Sequence, residues 1–599
     1  MRKTTATVSL LAALAFTGAA CARGHGAALS AESVEAATAE QSPQTARQAP
    51  PFVNVEGADL NARLEAALRQ ARASSPRTPF WTAYTFDVRP GVAVDPGGGE
   101  FHGSMNTMGG IHVFVGTTRA GTAAETRNLG LFVLRDAASG RLTRMEVYNL
   151  DRAREYSGYP VYFAGRAGNE ESLAYLRPLA EQGAEARLQE RATLAIALHD
   201  DRRVPDVLKT FIRTSKSENV RSSAVYWLGH TGGEIEFLAA LVRSNQEKND
   251  LRRTAAHAIG ASRDREALST LQSLYNAGLH EDVKRGILHA INDNENREEA
   301  YAFVLKVAKG DPDSDARRTA VHIIGESERE QAVDDLMAIF AGDRTEDVRR
   351  TVIHALAEHR SPRAEAKLLE LARTAEPADV RKHAIHQLGE RNNEAMVDEL
   401  MRLYSQEQNA DVKRAIIHAF SEMESPRAQA KIVEIARDQS QPGDVRRHAI
   451  HQLGERGEAA LDELVRIFDA DRNQDVRRQI LHSLSEIESP RAEEKLFEVA
   501  RRADNSDLRR QAIHWIGEKA GKRSLDFLKD TVNASDADTE VQKQAVHAIS
   551  EKPPEQAVPL LIQIAKTHPN AEVRKAAIHW LGESGDPRAL EYFREVLSK

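Results

Sequence analysis

Four stretches of the chain are variations on one line: Val348-Arg-Arg-Thr-Val-Ile-His354, Val380-Arg-Lys-His-Ala-Ile-His386, Val412-Lys-Arg-Ala-Ile-Ile-His418 and Val445-Arg-Arg-His-Ala-Ile-His451. The closing histidine recurs as His257, His289, His322, His354, His386, His418, His451, His482, His514, His547 and His579, at a nearly constant step of about 32 residues. Tyr226 and Leu194 hold the same frame in two earlier units, which brings the count to about thirteen. A fixed period of this length marks a stack of supersecondary units, because no single unit of that size buries its own apolar face.

Each unit reads as two helices. From Ser361-Pro362-Arg363 to Arg373 a proline opens the first helix, and Ala364, Leu368, Leu369, Leu371 and Ala372 supply its buried side. Glu376, Pro377 and Asp379 make a turn, and Val380 to Glu390 forms the second helix, closing at Gly389 in the motif Leu-Gly-Glu. This frame resembles the HEAT-like repeats of the phycobilin-lyase type found in bacterial HEAT-repeat proteins, and Gly585-Asp586-Pro587-Arg588-Ala589-Leu590 matches their Asp-Pro-Arg-Ala-Leu segment. The resemblance covers about Asn169 to Lys599. It implies a mainly α fold, a right-handed α-solenoid of about thirteen two-helix repeats, preceded here by a small α+β domain. Because that family includes scaffolds, lyase subunits and hydroxylases, it implies a shape and leaves the activity open.

The histidine departs from the family pattern, which carries a polar residue such as Glu at that place. On a helical wheel Val380, Ala384, Ile385 and Leu388 share one side, whereas His386 points the other way. If the second helices line a concave wall, the eleven histidines follow one another at intervals of roughly 10 Å, the usual helix packing distance. Lys382 lies four residues before His386 and Glu390 four after, so all three share a stripe. The order recurs as Arg350, His354, Glu358, as Arg414, His418, Glu422, and as Arg510, His514, Glu518, while Glu455 follows His451. Three readings of this wall stay open. It is a solvated polar ladder that fixes stacking register, or a groove for a protein or peptide partner lined by the eleven histidines with Glu358, Glu390, Glu422 and Glu455. In the third, His-x-x-x-Glu pairs, with His383 or His448 as neighbours, hold metal ions, although rungs a full helix diameter apart spread the ligands.

Other chemistry is not signalled. Deoxyhypusine hydroxylase is a HEAT-repeat enzyme with His-Glu iron ligands on inner helices, but the one such dipeptide here, His280-Glu281, falls in a turn. Bilin-lyase activity finds no support in the residues, and no Ser/His/Asp or Cys/His constellation stands out. The expectation is a protein that is not an enzyme, with no catalytic residues, no cofactor and no dedicated metal site. A formal net charge of -8 and a pI near 6.3 speak against nucleic acid as a partner.

The first residues read as an address. Arg2 and Lys3 precede a short apolar run from Val8 to Phe16 and the small residues Gly18, Ala19 and Ala20, so 1–21 reads as a signal peptide and the chain as exported to the cell envelope or periplasm. The single cysteine, Cys21, resembles the lipidated cysteine of bacterial lipoproteins, which makes a lipid the one expected membrane contact. Residues 22–52 read as a disordered tether. Residues 53–167 read as the α+β domain, with a helix from Leu60 to Ala73 and strands over Trp81–Val88, Ile111–Val115, Leu129–Leu134 and Leu142–Tyr148. Gly97, Gly98 and Gly99 mark a plain loop, and His102 and His112 nearby lack a third ligand at metal spacing. Residues 168–599 are the expected solenoid.

Overall fold

A computed structural model describes residues 52–95, 101–108, 111–118, 125–152, 154–183, 185–391, 393–503, 505–519, 521–534 and 538–598. The stretch read as a signal peptide, Cys21, residues 22–51 of the expected tether and the triple-glycine loop lie outside them, as do the side chains of His102 and His112, whereas Phe52, the last residue of the expected tether, packs its ring against Phe132, Tyr156 and Phe163. The contacts divide the chain into two compact units, 1–304 and 305–599, with the division falling inside the helix Arg297–Gly310.

The first unit begins with eight strands: β1 (Val53–Asn54), β2 (Phe80–Thr85), β3 (Val92–Val94), β4 (Phe101–Met108), β5 (Ile111–Thr118), β6 (Leu129–Arg135), β7 (Leu142–Asn149) and β8 (Val161–Arg166). Five make one sheet in the order β1-β8-β2-β6-β7, and three make a second in the order β3-β5-β4. β6 and β7 form a hairpin whose turn rests on the Asp136 carboxylate, which accepts from the backbone and hydroxyl of Ser139, and on Gly140 at φ +75°. The helix Leu60–Ser74 starts at an Asp59 cap and buries Leu60, Leu64, Ala67, Leu68 and Ala71. Four strands escape the sequence pattern for physical reasons. β1 and β3 are only two and three residues long, β4 is rich in Gly, Ser, Asn and Thr, and β8 slots in parallel between β1 and β2 from far along the chain.

From Asn169 to Leu597 the described chain is helical, thirteen helix pairs and a closing helix. First helices open on Ser caps followed by Pro, as at Ser361, Ser425 and Ser489, and second helices on Asn caps such as Asn409, Asn473, Asn505 and Asn570. Apolar residues meet between the helices of a pair and between neighbouring pairs, with Val380, Ala384, Ile385 and Leu388 each at most 5% exposed.

Successive second helices are not equivalent, a pattern the single-repeat reading does not contain. From His322 onward, three residues after the histidine stands Gly325, Gly389, Gly454, Gly517 or Gly582 in every other unit, and Ala357, Ser421, Ser485 or Ser550 in the units between, whereas Gly229 and Gly260 stand in consecutive earlier units. A Cβ on Gly389 would sit 2.9 Å from the Cα of Ala419 on the next second helix, and one on Gly325 would sit 2.6 Å from the Cβ of Ala355. Glycine therefore lets second helices approach in twos, backbone against backbone. At the intervening positions the Ser421, Ser485 and Ser550 hydroxyls instead donate to the carbonyls of His418, His482 and His547.

Five residues before each histidine a second alternation runs. In the glycine helices the guanidinium of Arg317, Arg381 or Arg446 donates to carbonyls at the end of the preceding first helix, Asp311, Ala375 or Ala436, and pairs with Asp343, Glu407 or Asp471 of the next repeat. In the helices between, Arg349, Lys413 and Arg477 lie over the rings of Phe340, Tyr404 and Phe468 at 4.1 to 4.9 Å.

Candidate functional site

The wheel reading of the second helices holds wherever a histidine occupies the frame. The side chains of His257, His322, His354, His386, His418 and His451 are 44% to 52% exposed. His579 is exposed, while His289, His482, His514, His547 and Tyr226 are half-buried. Leu194, at the same frame position, is fully buried. Its helix, Ala186–Ala197, packs against β7, where Arg191 forms an ion pair with the buried Glu146.

Most imidazoles of the row have a carboxylate nearby. His354, His386, His418, His451 and His547 lie 3.5 to 3.8 Å from Glu358, Glu390, Glu422, Glu455 and Glu551, each four residues further along. Glu358 also reaches back to His322, at 3.9 Å, so it bridges two repeats, and Asp293 reaches back to His257 at 3.5 Å. The even, helix-wide spacing expected of the rungs is corrected where helices meet in twos: the rings of His386 and His418 are 6.0 Å apart, edge to face. Two tryptophans interleave with the row, Trp515 between His482 and His514 and Trp580 between His547 and His579, at 4.4 to 4.9 Å between ring centres.

The basic residues of the stripe engage other partners. Lys382 pairs with Asp379, Arg350 with Glu346 and Arg510 with Asp507, while Arg414 pairs with Asp411 and with Asp444 of the next repeat. Their charge is thus neutralised locally. His383 and His448, one turn before the row, are held below the ordinary imidazole range, first by partial burial and then by nearby cations and imidazoles, Arg350 and His386 in one case, His451 and Arg414 in the other.

One group corrects the expectation that metal ligands are spread apart. Donor atoms of His514, Glu518 and Glu551 lie within 4.8 Å of one another, the one such cluster among the described residues. Sequence reading placed His514 and Glu518 on a stripe but had no means of bringing Glu551 of the next repeat to them.

A second polar constellation escaped the sequence entirely. In the first unit His199 is 2% exposed, stacked on Phe86 at 4.2 Å, with Nδ1 2.7 Å from the Ala195 carbonyl and Nε2 2.8 Å from the Ser172 hydroxyl. A carbonyl only accepts, so Nδ1 carries the proton and Nε2 accepts from Ser172, to which the Tyr84 hydroxyl donates at 2.9 Å. Burial pushes His199 down to about 4. Fully enclosed, this Tyr-Ser-His chain ties β2 to the first helices and presents no atom to a substrate. No periodic signal marks it, because each member occurs once.

Among the described residues no helix is long and apolar enough to cross a membrane. Thirteen helix pairs, eleven of them with a histidine in the same outward frame of the second helix, define a helical repeat protein. The family model described as HEAT repeats matches residues 205–292, 301–383, 365–443, 430–517 and 525–599, well over half of the chain, and the protein belongs to that family. It matches none of the curated proteins. Among solved structures it is similar to Kap121p bound to Pho4p, with 11% identity over 69% of this chain and 53% of that one at a TM-score of 0.35. It is also similar to yeast importin-beta, Kap95p, with 12% identity over 72% and 70% of the two chains at a TM-score of 0.30. The protein thus spans about half the length of Kap121p.

Proposed function

We propose that this protein is a non-catalytic scaffold or adaptor of the cell envelope that binds a protein or peptide partner along its exposed row of second helices. One observation carries this reading: the row is polar, repeated and exposed, with the side chains of six of its histidines 44% to 52% exposed. Around His482 and Trp515 the surface dips into an open depression that Arg447, Asp475 and Arg478 also line. Charged side chains beside an aromatic ring suit a partner's backbone and side chains.

The test is capture from detergent-solubilised envelope, comparing wild type with a variant in which His354, His386, His418 and His451 are all Gln. A reproducible partner retained by wild type and lost by the variant is the expected result, whereas equal capture by both overturns the role of the row. Export and a lipid at Cys21 complete this reading, supported by the residue pattern around Cys21. Cys21→Ala is expected to move the protein from the membrane to the soluble fraction, and unchanged membrane association removes the lipid from the account.

A further inference from the structure

Where a glycine helix meets the second helix that follows it, two His-x-x-x-Glu frames face each other. At four such seams in the second unit the residues are His322, Glu326, His354 and Glu358; His386, Glu390, His418 and Glu422; His451, Glu455, His482 and Glu486; and His514, Glu518, His547 and Glu551. The last seam is drawn tightest around a common point. His514 and Glu518 come from the helix Ser506–Glu518, and Glu551 caps the end of the helix Thr539–Ser550. The cause of the approach is Gly517, whose absent side chain leaves room for Ala548: a Cβ there would stand 2.8 Å from the Cβ of Ala548.

We propose that His514, Glu518 and Glu551 bind a borderline divalent cation of the Zn2+ or Co2+ kind, clamping two successive repeats together. One imidazole with two carboxylates is a donor set these ions take, whereas Ca2+ and Mg2+ prefer oxygen alone. Around tetrahedral zinc, ligand atoms about 2.1 Å from the metal stand about 3.4 Å apart. Donors already within 4.8 Å need only small side-chain rotations to close on the ion. His547 is placed to complete the set, its Nε2 being 3.5 Å from the Glu551 carboxylate.

The surrounding charges are compatible. Glu518 and Glu551 bring two negative charges to one spot, and the Lys552 ammonium beside them is drawn elsewhere, donating to the carbonyls of Gly517 and Lys519 and to the Ser524 hydroxyl. It moderates the repulsion between the carboxylates without occupying the space between the donors. Arg510, one turn before His514, is paired with Asp507, and Lys543 with Glu540. Gln544 contacts the Nδ1 atom of His547, and the ring of Trp515 lies against His514.

The experiment titrates ZnCl2 into full-length protein stripped with EDTA and counts bound metal by equilibrium dialysis, with thermal unfolding followed in parallel. Wild type is expected to hold one Zn2+ per chain more tightly than the rest of the histidine row holds any, and to unfold at a higher temperature with the ion bound. Glu551→Gln and His514→Asn are expected to lose that equivalent while keeping the wild-type circular dichroism, and His354→Gln to keep it. No saturable binding by wild type, or the same tight equivalent retained in Glu551→Gln, overturns the site.

Discussion

His199 and His386 are the same amino acid put to opposite uses. At the junction between sheet and first helices, His199 is enclosed, each ring nitrogen occupied at hydrogen-bonding distance, its neutral form enforced by burial. Along the second helices, His386 is half exposed, touched by one carboxylate at 3.7 Å and one imidazole at 6.0 Å. A side chain whose bonds are all made inside the fold contributes stability and offers nothing outward. One whose bonds are partly made costs the fold little and remains available. The junction is thus a staple and the row a surface.

The sharpest way to break this contrast is to cut the staple. Glu146, whose side chain is 1% exposed, is held by Arg191 at 3.2 Å and by Arg144 at 2.8 Å. Arg191→Met leaves a buried carboxylate short of a partner and is expected to cost about 3 to 5 kcal/mol in chemical denaturation. A loss below about 1 kcal/mol shows the junction to be as tolerant as the row.

Acid gives the next largest effect. Unfolded histidine titrates near 6.5, whereas His199 in the fold titrates at about 4, so on acidification the unfolded chain takes up its proton first. The stabilisation is complete above pH 6.5 and fades as pH falls to about 4, a loss of about 3 kcal/mol. His230, also held down at about 4 by burial and by Arg89 and Arg263, adds a slope of the same sign, so unfolding of the first unit across this window is expected to depend on pH less steeply, by about half, in His199→Phe, which keeps the stack on Phe86. An identical slope in the variant assigns the acid sensitivity elsewhere.

A smaller effect probes the seam behind the row. Gly389→Ala forces a Cβ to within 2.9 Å of the backbone of Ala419 and is expected to cost about 1 to 3 kcal/mol. Gly582→Ala meets nothing within 4 Å and is expected to be neutral or to stabilise by about 0.5 to 1 kcal/mol. Equal melting temperatures for the two variants dismiss the close approach as a stabilising feature. The row itself stands last: His354→Gln is expected to shift stability by no more than about 0.5 kcal/mol. A larger loss in urea unfolding makes the row structural after all.

What the sequence discloses follows from repetition. Val380, Ala384, Ile385 and Leu388 recur with their neighbours in unit after unit, so a wheel drawn once describes a dozen helices and sends His386 outward correctly. Features that occur once, or join residues of different repeats, leave no such trace. Tyr84, Ser172 and His199 come together only because β2 and the first helix pairs pack on one another, and Glu551 reaches His514 only because Gly517 draws their helices close. The short strands Val53–Asn54 and Val92–Val94 carry too few residues for an alternation to show. The even rung spacing failed for a related reason: it averages over two kinds of step, and the alternation of Gly389 with Ser421 that distinguishes them becomes meaningful only when the neighbouring backbone is in view.

That alternation governs how such a chain can lengthen or shorten. Gly389 follows Gly325 by two repeats rather than one. In the stretch from Gly325 onward, a recombination event that slips by one repeat places two glycine helices side by side, as Gly229 and Gly260 already stand earlier in the chain, or two serine helices. A slip by two restores every seam. From Gly325 onward the alternation is thus preserved when units are exchanged in blocks of four helices, whereas the consecutive Gly229 and Gly260 show that the fold also accommodates a break in it.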